Sequence, residues 1–282
     1  MKLDLVDVFG SRALAGNPLA VVRGAESIDG AAMLALTRWL GFSETTFLLP
    51  PTDPAADYRV RIFYPGGELD FAGHPTLGSC FAWLAAGGVP QRPGMVMQEC
   101  GVGLVEVRQD ASGALAFAAP PMLRDGALTA DERAEAARLA GVAENQIVEA
   151  RWAHNGPPWK LLLLESAEAV IAAAPEPRAP LGVCVGLAGY SGGTNGVDWE
   201  LRAFFADQHG AFKEDPVTGS FNAGVASLLL NRPGAPANLQ AAQGRCVGAD
   251  GRIAWTKDAS GAVWVGGRCD MIAAAAELAG KW

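Results

Sequence analysis

The side chains in this 282-residue chain that could move a proton or hold an anion fall in a few short stretches. In Phe42-Ser43-Glu44-Thr45-Thr46-Phe47 a single carboxylate is flanked by apolar and hydroxyl residues. Burial there would raise its pKa toward the range useful for proton transfer, and a neighbouring hydroxyl could steady it. By spacing alone Glu44 equally suits an edge strand. Ala72-Gly73-His74-Pro75 and Val217-Thr218-Gly219-Ser220 both read as loop-to-helix junctions. The first amides of a helix lack intrahelical partners, and the helix dipole favours negative charge there. A glycine at such a point lets a ligand approach the backbone, so each junction suits an anion cradle for a carboxylate. Capping residues in ordinary turns would look the same. His74 lies inside one junction. Asp215 lies just before the other, where it is either a solvated acid beside Glu214 or a group that orients His74 or a substrate amine.

The elements that must position these residues are short. Strand-like stretches at Leu3–Phe9 and Leu19–Val22 flank the turn Ala15-Gly16-Asn17-Pro18. Ser27 is the expected N-cap of a helix with Asp29 in its first turn, Met33, Leu36 and Leu40 at helical spacing, and Gly41 at its end. Phe47–Leu49 and Arg59–Tyr64 read as strands, and the apolar stretch after His74 as a buried helix ending near Gly87-Gly88. Met95–Val107 and Leu115–Ala118 are β-like, and about Ala130–Ala140 forms an amphipathic helix. Leu161–Leu164 reads as a buried strand. Asp258-Ala259-Ser260-Gly261 joins Arg252–Lys257 and Ala262–Gly266 as a hairpin. Many short strands with a few helices predict a mixed α+β protein.

Half of the residues are hydrophobic and 18% are charged, which gives the chain a well-buried core and excludes disorder as its main character. A formal charge of −8 argues against a nucleic-acid partner and against an anionic membrane surface. No apolar run approaches the ~20 residues of a membrane span, and the N-terminus carries acids where a signal peptide needs apolar residues. A cytoplasmic location is the expectation. The five cysteines are scattered, without a Cys-x-x-Cys pair, and the three histidines are dispersed. Neither a disulfide framework, a metal site nor a nucleotide-binding motif is expected, so no cofactor is predicted.

Arg61-Ile62-Phe63-Tyr64 echoes Arg202-Ala203-Phe204-Phe205 at an offset of 141. For the segment beyond these stretches, a register of 146 pairs Gly73-His74 with Gly219-Ser220 and Gly78 with Gly224, at the cost of a five-residue insertion in the second loop. That register is preferred, because it puts a glycine at the same point of both strand–loop–helix units. The chain then consists of two related halves, 1–118 and 119–282, with a boundary near Ala118–Asp125. The C-terminal segment 270–282 could complete the first half.

Val6-Asp7-Val8-Phe9, Ala15 to Val22, Phe42 to Phe47, Arg61 to Gly78, Glu214 to Ser220 and Val263-Trp264-Val265-Gly266-Gly267 run in order along the chain. Together they resemble the phenazine-biosynthesis PhzF-like isomerase family. The resemblance implies the diaminopimelate-epimerase-like fold: two pseudo-symmetric α+β domains, each a mixed sheet or barrel around a central helix, with the site between them. It also implies a homodimer and no cofactor. In that family the glutamate matching Glu44 shuttles a proton on trans-2,3-dihydro-3-hydroxyanthranilate. The resemblance implies catalytic roles for Glu44, His74 and Asp215, and substrate binding by Gly73, Gly219, Ser220 and Asn17. Related epimerases place a cysteine in each half-site. Here Ala72 stands at one such place and the second motif has none, which disfavours two-thiol racemisation. Phe221-Asn222 departs from the pattern, where many members carry small or histidine residues. The expected activity is a cofactor-independent isomerase acting on a small, cyclic amino-carboxylate. An epimerase with non-thiol bases and a non-catalytic carboxylate-binding protein are the competing readings.

Overall fold

The chain opens with a hairpin of β1 (Lys2–Val8) and β2 (Asn17–Arg23), antiparallel with Val8 opposite Asn17. Its long loop is folded back by buried Asp7, whose carboxylate accepts from the backbone N–H groups of Ala15 at 3.1 Å and Gly16 at 3.0 Å. A Cβ on Gly16 would lie 2.2 Å from the Val8 carbonyl oxygen, so only glycine fits this close approach. The computed structural model describes residues 1–280; the last two residues of the segment 270–282 lie outside the described residues. The described chain divides into two compact units, Met1–Ala118 with the residues from Gly266 on, and Ala119–Val265. Among the described residues no helix is long and apolar enough to cross a membrane.

In the first unit α1 (Gly30–Leu40) carries the chain from β2 to β3 (Thr45–Leu49), which pairs parallel to β2. Buried Met33 and Leu36 of α1 pack on Val22, Phe47 and Phe63, and each such side chain contributes about 1.5–3 kcal/mol. The N-cap is Asp29, accepting from Ala32 N–H at 2.9 Å, and not Ser27. The helix starts two residues later than expected, where a carboxylate meets the helix dipole. Gly41 ends it in the left-handed conformation, as expected. Then come β4 (Tyr58–Tyr64), β5 (Gly67–Leu69), α2 (Gly73–Ala85), β6 (Met95–Cys100), β7 (Gly103–Gln109) and β8 (Leu115–Ala118). Met95–Val107 is thus a hairpin and not one strand, turned at Gly101-Val102. α2 packs on β1, β2, β3, β6 and β8, and also on Cys269–Glu277, a strand antiparallel to β1. Every residue from Gly73 to Cys80 is buried, which makes α2 the central helix of this unit.

The second unit begins with α3 (Ala130–Ala140), held by a Thr129–Glu132 capping box. It continues with β9 (Ile147–His154), β10 (Pro158–Leu164), α4 (Ala167–Ala172), β11 (Cys184–Tyr190), β12 (Trp199–Ala206) and β13 (Phe212–Asp215). After these come α5 (Gly219–Leu230), β14 (Asn238–Gln243) and β15 (Gly251–Lys257), and β16 (Val263–Gly267) runs across the boundary at Val265. From β9 to β15 the order and sense of pairing repeat those from β1 to β7. Each unit opens with an antiparallel hairpin, crosses by a helix to a parallel strand and then runs antiparallel. After a second hairpin, each places a strand parallel to the one before the central helix (β6 on β4, β14 on β12). The chain is therefore a mixed α+β protein with two pseudo-symmetric domains.

Side chains repeat as well. Arg61 makes a two-pronged pair with Glu68, both bonds 2.7 Å, and lies over the Phe63 ring. Arg202 does the same with Glu214 at 3.1 and 2.7 Å, over Phe204. Ile62 faces Leu69 in one hairpin and Ala203 faces Asp215 in the other. The offset thus changes from 141 to 146 inside the second hairpin, where the five-residue insertion sits. Arg202 and Glu214 are 6% and 7% exposed, against 31% and 42% for Arg61 and Glu68. Arg202 also donates to the Ala173 carbonyl at 2.6 Å. Removing one partner of a buried pair strands a charge, whereas an exposed pair is screened by water. Arg202→Met is expected to cost about 3–5 kcal/mol and Arg61→Met under about 1 kcal/mol, read from urea unfolding midpoints; equal costs would contradict this ranking.

Candidate active site

Glu44 stands immediately before β3, a strand buried at all five positions. The strand is tied to α2 by the Ser79 hydroxyl, which donates to Thr46 Oγ1 at 2.8 Å. Glu44 thereby meets His74, the second residue of α2, with 3.5 Å between Glu44 Oε2 and His74 Nε2. The carboxylate side chain keeps 19% of its exposure while the imidazole is buried. Burial pulls the His74 pKa down to about 3. The ring is therefore neutral at pH 7, and the contact is an imidazole facing a carboxylate, not an ion pair. Asn17, the first residue of β2, places its Nδ2 3.5 Å from His74 Nδ1. An amide nitrogen can only donate, so Nδ1 is the acceptor and the ring hydrogen sits on Nε2, toward Glu44. Glu44, His74, Asn17 and Gly73 are thus brought together within the first unit.

The second unit brings Asp215, Gly219 and Ser220 together. Asp215 ends β13, and its Oδ2 accepts from Thr218 Oγ1 at 2.6 Å. Thr218 is the N-cap of α5, yet its hydroxyl makes no capping bond because it is turned to Asp215. Buried Gln243, at the end of β14, binds around this cap. Its Oε1 accepts from Thr218 N–H at 3.1 Å and from Asn222 Nδ2 at 2.9 Å. Its Nε2 donates to the Asp215 carbonyl and to Thr218 Oγ1, both at 3.0 Å. Trp255 Nε1 closes the network on Asn222 Oδ1 at 3.1 Å. The first unit has a counterpart: Gln98 on β6 donates to Thr76 of α2 at 3.0 Å and accepts from Tyr58 at 2.8 Å.

Phe221-Asn222 now has a structural reading. Phe221 packs against Trp159, and its ring fills the place where a Cβ on Gly186 would lie 2.1 Å away. Asn222 is the buried link between Gln243 and Trp255. Gln243 and Gln98 were not marked by the sequence motifs, and Thr218 and Thr46 lie inside them without an assigned role. Each glutamine lies more than twenty residues beyond the start of the helix it serves, and only the parallel return of its strand brings it there. All five cysteine thiols are pushed up in pKa by burial, Cys184 to about 12. Among the described residues no group of His, Cys, Asp or Glu side chains is gathered to hold a metal ion.

Two repeated α+β units, one presenting a carboxylate against a neutral imidazole and both an opened helix N-terminus, define an isomerase of the diaminopimelate-epimerase-like fold. The chain matches the model of the phenazine biosynthesis-like protein family over residues 6–274 and belongs to that family. It is 32% identical to antisense-enhancing sequence 1 of Schizosaccharomyces pombe, over 83% of this chain and 82% of that protein. It is 34% identical to a trans-2,3-dihydro-3-hydroxyanthranilate isomerase of Pseudomonas fluorescens, over 82% of this chain and 80% of that one. A crystal structure of a PhzF-family phenazine biosynthesis protein from Bacillus anthracis shares the fold, with a TM-score of 0.81, 97% of each chain covered and 20% identity.

His74 also sets a pH dependence. Its folded pKa lies below its unfolded value near 6.5, so the unfolded chain binds the extra proton and stability falls as pH drops from about 6.5 toward 3. One such group contributes a slope of up to about 1.4 kcal/mol per pH unit. His74→Gln is expected to flatten the acid limb of the stability curve by that amount between pH 6 and pH 4. Denaturant titrations at several pH values check this, and parallel acid limbs for the two proteins would refute a buried neutral His74.

Proposed function

We propose that this protein is a cofactor-independent isomerase that moves a proton between two carbons of a small cyclic amino-carboxylate, of the kind its Pseudomonas relative is named for. The observation that carries this reading is the Glu44 carboxylate held 3.5 Å from a neutral His74 at the head of α2. Glu44 takes a proton from one substrate carbon and returns it to another, so nothing is gained or lost overall. A carboxylate beside an imidazolium would be too acidic to take a carbon-bound proton. The neutral ring puts no positive charge beside Glu44. Asn17 fixes that ring. The amides of Gly73 and Gly219 and the Ser220 hydroxyl hold substrate oxygens, and Asp215, steadied by Thr218, takes the amine.

Retention of shape without basicity separates the roles. With trans-2,3-dihydro-3-hydroxyanthranilate as substrate, Glu44→Gln is expected to lower kcat by about 10²–10⁴-fold with KM little changed. Asp215→Asn is expected chiefly to raise KM. Steady-state kinetics distinguish the two, and a Glu44→Gln protein with full kcat would overturn the assignment.

A further inference from the structure

Ser220 is held from two directions by residues that no motif marked. Trp159, near the start of β10, donates its indole N–H to Ser220 Oγ at 3.0 Å, with both groups buried. An indole nitrogen has no acceptor capacity, so Ser220 must accept here. Its own hydrogen is then directed elsewhere, and among the described residues no protein group receives it. Gly219 and Ser220 also lead α5, where backbone N–H groups have no intrahelical partners. This corner therefore presents donors to a ligand and suits a carboxylate.

Asn155, just after β9, adds the opposite character. Its Nδ2 donates to the Ser220 carbonyl at 2.9 Å, which fixes the amide's orientation. Its Oδ1 is buried without a hydrogen-bond partner, in a residue only 5% exposed. An orphaned buried acceptor is costly, and a ligand N–H or O–H would remove that cost.

We infer that Trp159 is a positioning residue that makes Ser220 an obligate donor to a carboxylate, and that Asn155 Oδ1 reads an amine or hydroxyl hydrogen next to that carboxylate. The substrate class is narrowed to carboxylates with a neighbouring amino or hydroxyl group. The inference rests on the reading of Ser220 as a substrate contact.

The test uses the full chain with benzoate and 2-aminobenzoate as probes, measured by calorimetry. Wild type is expected to bind 2-aminobenzoate about tenfold more tightly, the equivalent of one well-placed hydrogen bond. Asn155→Leu is expected to cut that ratio by about threefold or more, Asp215 keeping the remainder; a merely structural role would weaken both probes by one factor and leave the ratio intact. Trp159→Phe keeps the ring against Phe221 but lacks the N–H. It is expected to weaken both probes roughly three- to tenfold in wild type and to add nothing in a Ser220→Ala background, since the effect runs through that hydroxyl. A wild type that binds both probes equally, an unchanged ratio in Asn155→Leu, or additive Trp159 and Ser220 effects would overturn the inference. If Ser220→Ala leaves benzoate binding unchanged, or neither probe binds, the underlying reading of the half-site falls with it.

Discussion

A helix buried along its first two turns cannot leave its leading amides to water, and both α2 and α5 are in that position. Each orphaned N–H in such a place costs on the order of 1–3 kcal/mol. A glutamine returned by a parallel strand lies at the head of each helix: Gln98 donates to the Thr76 hydroxyl of α2, and Gln243 accepts from the N–H of Thr218, the cap of α5. Gly73 and Gly219 are the first residues of these two helices. His74 and Ser220 each stand second in one of these helices, beside amides that lack intrahelical partners.

Much of this was legible in the residues. Gly41 after the helical spacing of Met33, Leu36 and Leu40, the helix from Ala130 to Ala140, and the paired Arg-x-Phe stretches all carry local signals, and all appear in the fold. The 146 register was legible because glycine at a helix tip and glycine on a packed helix face are both needed twice. Other features carry no local signal. Ser27 and Asp29 are both good N-caps, and only the tertiary position of α1 chooses between them. The turn inside Met95–Val107 is a Cys-Gly-Val-Gly run, which composition alone does not separate from continuous strand.

The candidate site divides in the same way. Glu44, His74 and Asp215 stand out by residue type beside glycine-rich junctions. What tunes them comes from distant stretches: Asn17 on the His74 ring, Ser79 on Thr46, and Gln243 through Thr218 to Asp215. The electrostatic result also differs from simple expectation. Histidine beside glutamate suggests an ion pair, but removal from water outweighs a neighbour at 3.5 Å, and the ring stays uncharged.

The repeat sets His74 and Ser220 at equivalent places, each the second residue of its central helix, and the chain has put different chemistry at each. An ancestor with two identical halves would have carried the same group twice, and any change would have altered both tasks together. With duplication complete and the five-residue insertion confined to the second hairpin, the two copies are free to diverge along separate lines. Substitutions around Ser220, such as the Phe221-Asn222 pair, can retune which molecules are accepted while the proton-handling copy stays as it is. Such a protein offers a natural route to new specificities on an unchanged reaction.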